Sequence, residues 1–195
     1  MRKVIAQEWM SLDGVVQAPS SPAEDTSGGF TQGGWHLPYL DEIAMKWVIS
    51  SISQAGGFLL GRCTYDLFAA HWPEAGEQEQ PLARLLNAKP KYVASTSLTQ
   101  PLAWHNSILI EGDIATAVTT LKRQPGADLY LIGSTELLRV LAGHDLVDEY
   151  QLMIDPIILG SGKRAFPDCG TPQSMQLTSS QVTTTGAIIA SYSRP

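Results

Sequence analysis

The chain is poor in several things, and each shortage removes a class of function. It has two cysteines, Cys63 and Cys169, far apart and in no C-x-x-C pair. Neither a disulfide framework nor a zinc site is indicated, and a reducing compartment is the default. Only 16% of residues are charged and the formal net charge is -6. A nucleic-acid partner is therefore disfavoured, while a locally basic pocket for a phosphorylated ligand stays open. No apolar run approaches the length of a membrane span. The stretch MRKVIAQEWMSLDG starts positive, but Gln7, Glu8 and Asp13 interrupt any apolar segment. A first strand is expected there, not a signal peptide, and a cytoplasmic protein without membrane or nucleic-acid partner follows.

Several catalytic signatures are missing too. None of His36, His71, His105 and His144 opens an H-x-E, and no P-C-x-x-C accompanies them, so zinc deamination is excluded and no metal site is expected. No G-x-S-x-G elbow and no G-x-G-x-x-G after a strand occur. Leu159-Gly160-Ser161-Gly162-Lys163-Arg164 looks superficially like a phosphate loop. It lacks the upstream glycine and the hydroxyl residue after the lysine, so a turn near a sheet edge is the better reading.

What is present is an ordinary globular composition, 44% hydrophobic over 195 residues, enough for one domain spanning 1–195 with a sizeable core. Strands are expected at 3–10, 58–60, 91–95, 108–110, 129–132, 147–154, 175–184 and 187–192, the last two joined at Thr185-Gly186. Helices are expected from Pro38 to about Gln54, from Arg62, over 82–87, from Asp113 to about Lys122, and after Gly133. Residues 18–34, rich in Pro, Ser and Gly, read as a long loop of the kind that forms lids or disordered segments. Strand-helix alternation ending in a hairpin predicts an α/β fold: three layers, a mostly parallel mixed sheet with helices on both faces, and a C-terminal antiparallel hairpin.

The organising stretch is Asp128 to Ala142, DLYLIGSTELLRVLA. Leu129–Ile132 has the length of a core strand, Gly133 turns the chain, and Ser134 and Thr135 can cap a helix whose positive end suits Glu136. Such a turn aims free N–H groups at one spot, which suits a phosphate. Two other strand ends are similarly polar: Gly61-Arg62-Cys63-Thr64 and Ser95-Thr96-Ser97. If the three strands are parallel neighbours, one sheet edge offers a guanidinium, hydroxyls and helix N-termini together. Each turn alone reads more readily as a capped connection. Together they make ligand binding as good a reading as a purely structural one.

At this point the chain resembles a family. Met10-Ser11-Leu12-Asp13-Gly14, Leu60-Gly61-Arg62-Cys63-Thr64-Tyr65, Lys91-Tyr92-Val93-Ala94-Ser95-Thr96, Ile132-Gly133-Ser134-Thr135-Glu136-Leu137 and Asp148-Glu149-Tyr150 with Pro156 to Phe166 are similar, in order and spacing, to the dihydrofolate-reductase-like superfamily. The likeness is specifically to the reductase domain of riboflavin biosynthesis and its stand-alone bacterial relatives. The resemblance implies an NADPH site. Arg62 would meet the adenosine 2′-phosphate, joined by Ser95 and Thr96, with Ala94 beside the adenine. Thr64 would meet the pyrophosphate, which Gly133, Ser134, Thr135, Glu136 and Leu137 would hold on a helix N-terminus, Gly61 opening the neighbouring turn. An arginine fork with hydroxyls is what selects NADPH over NADH.

The resemblance also has departures. Ser134 stands where dihydrofolate reductases have the second glycine of a cis-linked pair. Trp35-His36-Leu37-Pro38 resembles the segment before their substrate-binding helix and makes Trp35 a candidate substrate contact. Their substrate carboxylate would fall at Leu40, and Asp41 is one residue late, a turn of about 100° on a helix. Dihydrofolate is thereby disfavoured. The expectation is an NADPH-dependent reductase of a small substrate, pterin-like or a pyrimidine-ribosylamine phosphate, resembling 5-amino-6-(5-phosphoribosylamino)uracil reductase. Asp13 and Asp41 are candidates to position a proton, although a turn-forming or capping role suits both. A nucleotide-binding or sensing module without turnover is the alternative, and a protein acting mainly through dimerisation is a third. A homodimer is expected by resemblance to relatives that pair through their late strands.

Overall fold

The computed structural model of the chain describes residues 1–166 and 172–195; Cys169 and the end of the loop-rich segment expected after Pro156 lie outside them. The strands are β1 (Val4–Ser11), β2 (Gly57–Gly61), β3 (Lys91–Ala94), β4 (Ser107–Ile110), β5 (Leu129–Ile132), β6 (Glu149–Asp155), β7 (Gln176–Val182) and β8 (Ile188–Ser193). The helices are α1 (Glu42–Gln54), α2 (Arg62–His71), α3 (Gln80–Ala88), α4 (Ile114–Arg123) and α5 (Thr135–Gly143). The strands form one sheet in the order β4-β3-β2-β5-β1-β6-β8-β7. β2 pairs in parallel with both β3 and β5, and β3 with β4, whereas β8 is antiparallel to β6 and β7. The expected mixed sheet, flanked by helices and ending in an antiparallel hairpin, is the one observed. Among the described residues no helix is long and apolar enough to cross a membrane.

Contacts divide the chain into two compact units. One comprises Met1–Ala6 and Val48–Val147, the other Gln7–Trp47 and Asp148–Pro195. In the first, short apolar runs become strands covered on both faces, as parallel strands require. Phe58, Leu59 and Leu60 of β2 are at most 1% exposed. Leu86 of α3 and Leu138 and Leu141 of α5 are buried with them. Lys91 is fully buried as well. Its ammonium donates to the carbonyls of Leu86 (3.3 Å) and Asn87 (3.2 Å) at the end of α3 and lies 4.2 Å over the Trp104 ring. It thus caps carbonyls that the helix leaves unpaired, and burial lowers its pKa to about 8.

In the second unit α1 begins later than its sequence pattern suggests. Leu37–Tyr39 forms a 3-10 turn, Leu40 is extended, and Asp41 caps α1 by accepting the Ala44 N–H at 2.9 Å. Ala44 of α1 then packs with Met153, Ala187 and Ile189, with Trp9, Ile43 and Trp47 against them. β7 forms the outer edge of the sheet, and all seven of its residues are exposed.

The loop expected to be an unstructured lid has a core of its own. Val15, Ala18, Phe30 and Trp35 bury themselves against Leu159. The Gln17 side chain donates to the carbonyls of Asp25 (3.1 Å) and Ser27 (3.0 Å) and accepts the Lys163 N–H at 3.0 Å. Lys163 pairs with Asp25 at 2.8 Å. The segment that mimics a phosphate loop is therefore what fastens this loop. Gly162, at φ +121°, is needed there: a Cβ would fall 2.6 Å from Val15 and 3.0 Å from Phe30. Loop composition concealed this because the four apolar anchors are spread over 21 residues, Val15 to Trp35, with no period.

β1 carries an unexpected group. Side chains alternate along a strand, so Glu8 faces away from Trp9. Glu8 is 3% exposed and its Oε1 has no hydrogen-bond partner. Burial pushes its pKa well above the ordinary value. The folded chain thus retains a proton that the unfolded chain releases above about pH 4.3. Stability from this residue is intact below that pH and falls as pH rises towards the raised folded value. Glu8→Gln is neutral at every pH. It is expected to raise the melting temperature by a few degrees at pH 7 and to change little at about pH 4, as measured by thermal denaturation at both.

Candidate functional site

Chemistry-bearing side chains gather in two places, one in each unit. In the first unit the condition on the three turns is met, because β3, β2 and β5 are parallel neighbours. Gly61 lies opposite Ala94 in the sheet register. Arg62, exposed at the start of α2, donates from Nη1 to Ser97 Oγ at 2.6 Å and pairs with Asp66 at 3.3 Å. Ser95 Oγ accepts the N–H groups of Ser97 (3.2 Å) and Leu98 (3.0 Å), which holds the Ser95-Thr96-Ser97 turn. Arg62, Ala94, Ser95, Thr96 and Ser97 line a cavity of about 350 Å³ with an apolar side from Ile110 and Ile114. Ser97 was not among the expected contacts, although it ends the same hydroxyl run.

The β5–α5 turn uses two successive left-handed residues, Gly133 at φ 54° and Ser134 at φ 59°. The peptide between them is trans, since Gln100-Pro101 is the cis bond among the described residues. Ser134 does not cap α5 with its side chain. Its hydroxyl accepts the Gly61 N–H at 2.9 Å and donates to the Ile132 carbonyl at 3.2 Å, tying two turns together. A Cβ at Gly133 would lie 3.6 Å from Thr64 Oγ1, so glycine keeps backbone and hydroxyl openly apposed. The first-turn N–H groups of α5, from Thr135 to Leu137, have no partner within the helix. Leu137 is buried and offers only its N–H, while the exposed Glu136 carboxylate accepts from Arg139 at 2.8 Å.

The second place holds Asp13, Trp35 and Asp41. Asp13 sits after β1 and accepts from Ser11 Oγ (2.7 Å), Leu159 N–H (3.1 Å) and Gly160 N–H (2.9 Å), with Arg164 at 3.6 Å. Burial opposes its ionisation, but the hydrogen bonds from Ser11, Leu159 and Gly160 outweigh it and bring its pKa to about 2. Asp41 is held below its ordinary pKa by Thr184 and by the Ala44 N–H. Both are ionised clamps at neutral pH and have no proton to give. Trp35 is 6% exposed and its indole N–H donates to the Gln17 carbonyl at 2.8 Å.

Sequence reasoning missed the pair beside them. His36 and Asp155 are both 0% exposed and meet at 2.8 Å, Nδ1 to Oδ2. The His36 ring lies on Trp9, with centroids 4.2 Å apart and planes 14° apart. Burial raises the Asp155 pKa and His36 partly offsets it. The available signal was an acid closing the apolar run Leu152-Met153-Ile154 just before Pro156. Among the described residues no group of three His, Cys, Asp or Glu side chains could hold a metal ion.

The family model of the RibD C-terminal domain matches residues 2–189. The chain belongs to the RibD C-terminal domain family. The Bacillus subtilis (strain 168) protein named "Uncharacterized protein YyaP" is 27% identical over 197 residues, covering 98% of this chain and 94% of that one. A Shewanella sp. PV-4 structure named "Putative riboflavin biosynthesis protein" superposes with a TM-score of 0.69 at 19% identity, covering 99% of both chains. A pyrimidine reductase-like protein from Corynebacterium diphtheriae does so at 0.67 and 16% identity, covering 98% of this chain and 91% of that one. The two solved structures, at identities this low, speak to the fold alone.

Asp13 provides a test of the clamp. Its pKa of about 2 lies below the ordinary value near 3.9. Its stabilising effect is therefore complete above the ordinary value and is lost as pH falls through about 2. Asp13→Asn is expected to lose about 1.5 kcal/mol at pH 7, the low end for hydrogen bonds to a charged group. Urea denaturation should show the loss shrinking as the measurement moves towards about pH 3.

Proposed function

We propose that this chain is a cytoplasmic NADPH-dependent reductase acting on a carbon–nitrogen double bond of a small substrate, a pyrimidine-ribosylamine phosphate or a pterin-like ring. The observation that carries the reading is the cavity where Arg62 meets Ser97 beside Ser95 and Thr96. A guanidinium with hydroxyls around it suits the 2′-phosphate that distinguishes NADPH from NADH. The donor set also fits the rest of the cofactor. The glycine at 133 leaves backbone open beside Thr64, and the α5 N–H groups suit a pyrophosphate. When bound, the cofactor supplies the hydride. Arg62, Ser95, Thr96 and Ser97 would hold its 2′-phosphate, and Thr64 with the first turn of α5 its pyrophosphate.

The two structural relatives are named as a putative riboflavin biosynthesis protein and a pyrimidine reductase-like protein, and those names support the substrate class proposed for this chain. A nucleotide-binding module without turnover draws on one observation, that Asp13 and Asp41 are ionised clamps. Consumption of NADPH with 5-amino-6-(5-phosphoribosylamino)uracil separates the two readings.

Two outcomes are expected. Arg62→Ala should weaken NADPH binding by about 10- to 100-fold, the equivalent of one lost charge-assisted contact, and leave NADH binding nearly unchanged in calorimetric titration. Equal weakening of both would remove the 2′-phosphate assignment. The chain is further proposed to form a homodimer through β7, an edge strand of the kind that can pair with another chain, whose Leu177 and Val182 are 50% and 63% exposed. Light scattering should give twice the chain mass, and Val182→Glu should shift it towards the monomer; a wild-type monomer at all concentrations would refute the pairing.

A further inference from the structure

Ser134 departs from the ordinary pattern of a helix start. It stands immediately before α5, where serine is favoured because its hydroxyl can turn back onto an N–H of the first turn. This hydroxyl does not. It accepts the Gly61 N–H at 2.9 Å and donates to the Ile132 carbonyl at 3.2 Å. The backbone at Ser134 is left-handed, with φ 59° and ψ 48°. That conformation is strained for a residue with a Cβ and easy for glycine. Serine therefore stands where glycine would sit with less strain, and the hydroxyl is what glycine would lack.

The hydroxyl acts on two turns at once, both in the first unit. The register between β2 and β5 ends at Leu59 opposite Leu131. Gly61 lies beyond that pair, and the Ser134 side chain takes its N–H. The approach is close: a Cβ at Gly61 would fall 3.4 Å from Ser134 Cβ and 3.6 Å from its Oγ. Gly61 directly precedes Arg62, whose guanidinium reaches Ser97 at 2.6 Å beside the cavity. Ser134 directly precedes the α5 turn, whose N–H groups have no partner within the helix. One hydroxyl thus joins the turn that carries the guanidinium to the turn that carries the open N–H groups. Drawn towards Gly61, it also leaves those N–H groups uncapped.

A ligand with two anionic groups at a set separation binds best when their two seats are already held at the matching distance, because the seats then need no ordering on binding. Resting on the NADPH reading, we propose that Ser134 is a positioning residue: it sets the spacing between the Arg62 and α5 turns so that the 2′-phosphate and the pyrophosphate of one NADPH are met together. It thereby enlarges the preference for NADPH over NADH. NADH brings the pyrophosphate without the 2′-phosphate, and adenosine 2′-monophosphate brings the 2′-phosphate without the pyrophosphate. Neither requires both turns at a fixed separation.

The test is calorimetric titration of the full chain with NADPH, NADH and adenosine 2′-monophosphate. It compares wild type, Ser134→Gly, Arg62→Ala and the two substitutions combined. Ser134→Gly keeps a left-handed backbone accessible and removes the hydroxyl. It is expected to weaken NADPH binding about 5- to 10-fold, the equivalent of about one hydrogen bond, with NADH and adenosine 2′-monophosphate little changed. In the Arg62→Ala background the same substitution should leave NADPH binding nearly unchanged, because the hydroxyl acts through the placement of the guanidinium. A purely structural bond would give the same loss in both backgrounds. A second measurement holds even if Ser134→Gly does not fold. A bond that favours NADPH is itself favoured by NADPH to the same degree, so hydrogen exchange of the wild-type Gly61 N–H should slow about 5- to 10-fold more with saturating NADPH than with saturating NADH. Unchanged NADPH affinity in Ser134→Gly, equal weakening of all three ligands or of the two dinucleotides, the same loss in the Arg62→Ala background, or equal slowing by the two dinucleotides overturns the role of Ser134 alone. A wild type that binds no NADPH overturns the cofactor reading and the role of Ser134 together.

Discussion

A parallel strand ends at the same edge of the sheet as its neighbours, so pairing β2 with β3 on one side and β5 on the other leaves little choice about the first unit. Three chain reversals must emerge side by side. The turns after β2 and β5 are short, because a helix follows almost at once. Arg62 can reach Ser97 and Ser134 can reach the Gly61 N–H because these turns are adjacent. The two left-handed residues at 133 and 134 serve the same end: they swing the chain into α5 while freeing the Ser134 hydroxyl to bind across to the neighbouring turn.

A second constraint governs the other unit: buried polar groups must find partners. Most do. Gln17 is bonded at both ends of its amide, Asp13 receives two backbone N–H groups, and Trp35 donates to a carbonyl. These contacts convert a Pro-, Ser- and Gly-rich loop into a packed element and give the Lys163 segment its purpose. Against that background the exceptions are informative. Burial raises the Glu8 pKa, and the His36–Asp155 pair retains one unsatisfied atom on each partner. Groups of this kind accumulate where a protein needs a tuned proton.

The polar turns after β2, β3 and β5 were legible in the amino-acid sequence because they are local. A glycine after an apolar run, a hydroxyl, then a helical stripe can be recognised within a dozen residues, and Arg62, Ser95 and Gly133 all fall at such points. Asp41 was legible as a helix-start charge, yet only the folded chain shows it capping α1 and holding the Thr184 turn, 143 residues away. The loop was misjudged for a related reason: Val15, Phe30 and Trp35 carry no period, and their common partner Leu159 is remote in sequence.

The sequence by itself determined the strands, most helix starts, the terminal hairpin and the family. Each depends on periodicity, turn chemistry or motif order, which act over a few residues or are preserved in register. The tertiary structure decided which strand ends are neighbours, which carboxylates are clamps and which polar groups lose their water. His36 and Asp155 are 119 residues apart, and no sequence pattern links them. Burial and pairing are properties of the assembled chain, and a side chain's proton affinity depends on that environment as well as on its residue type.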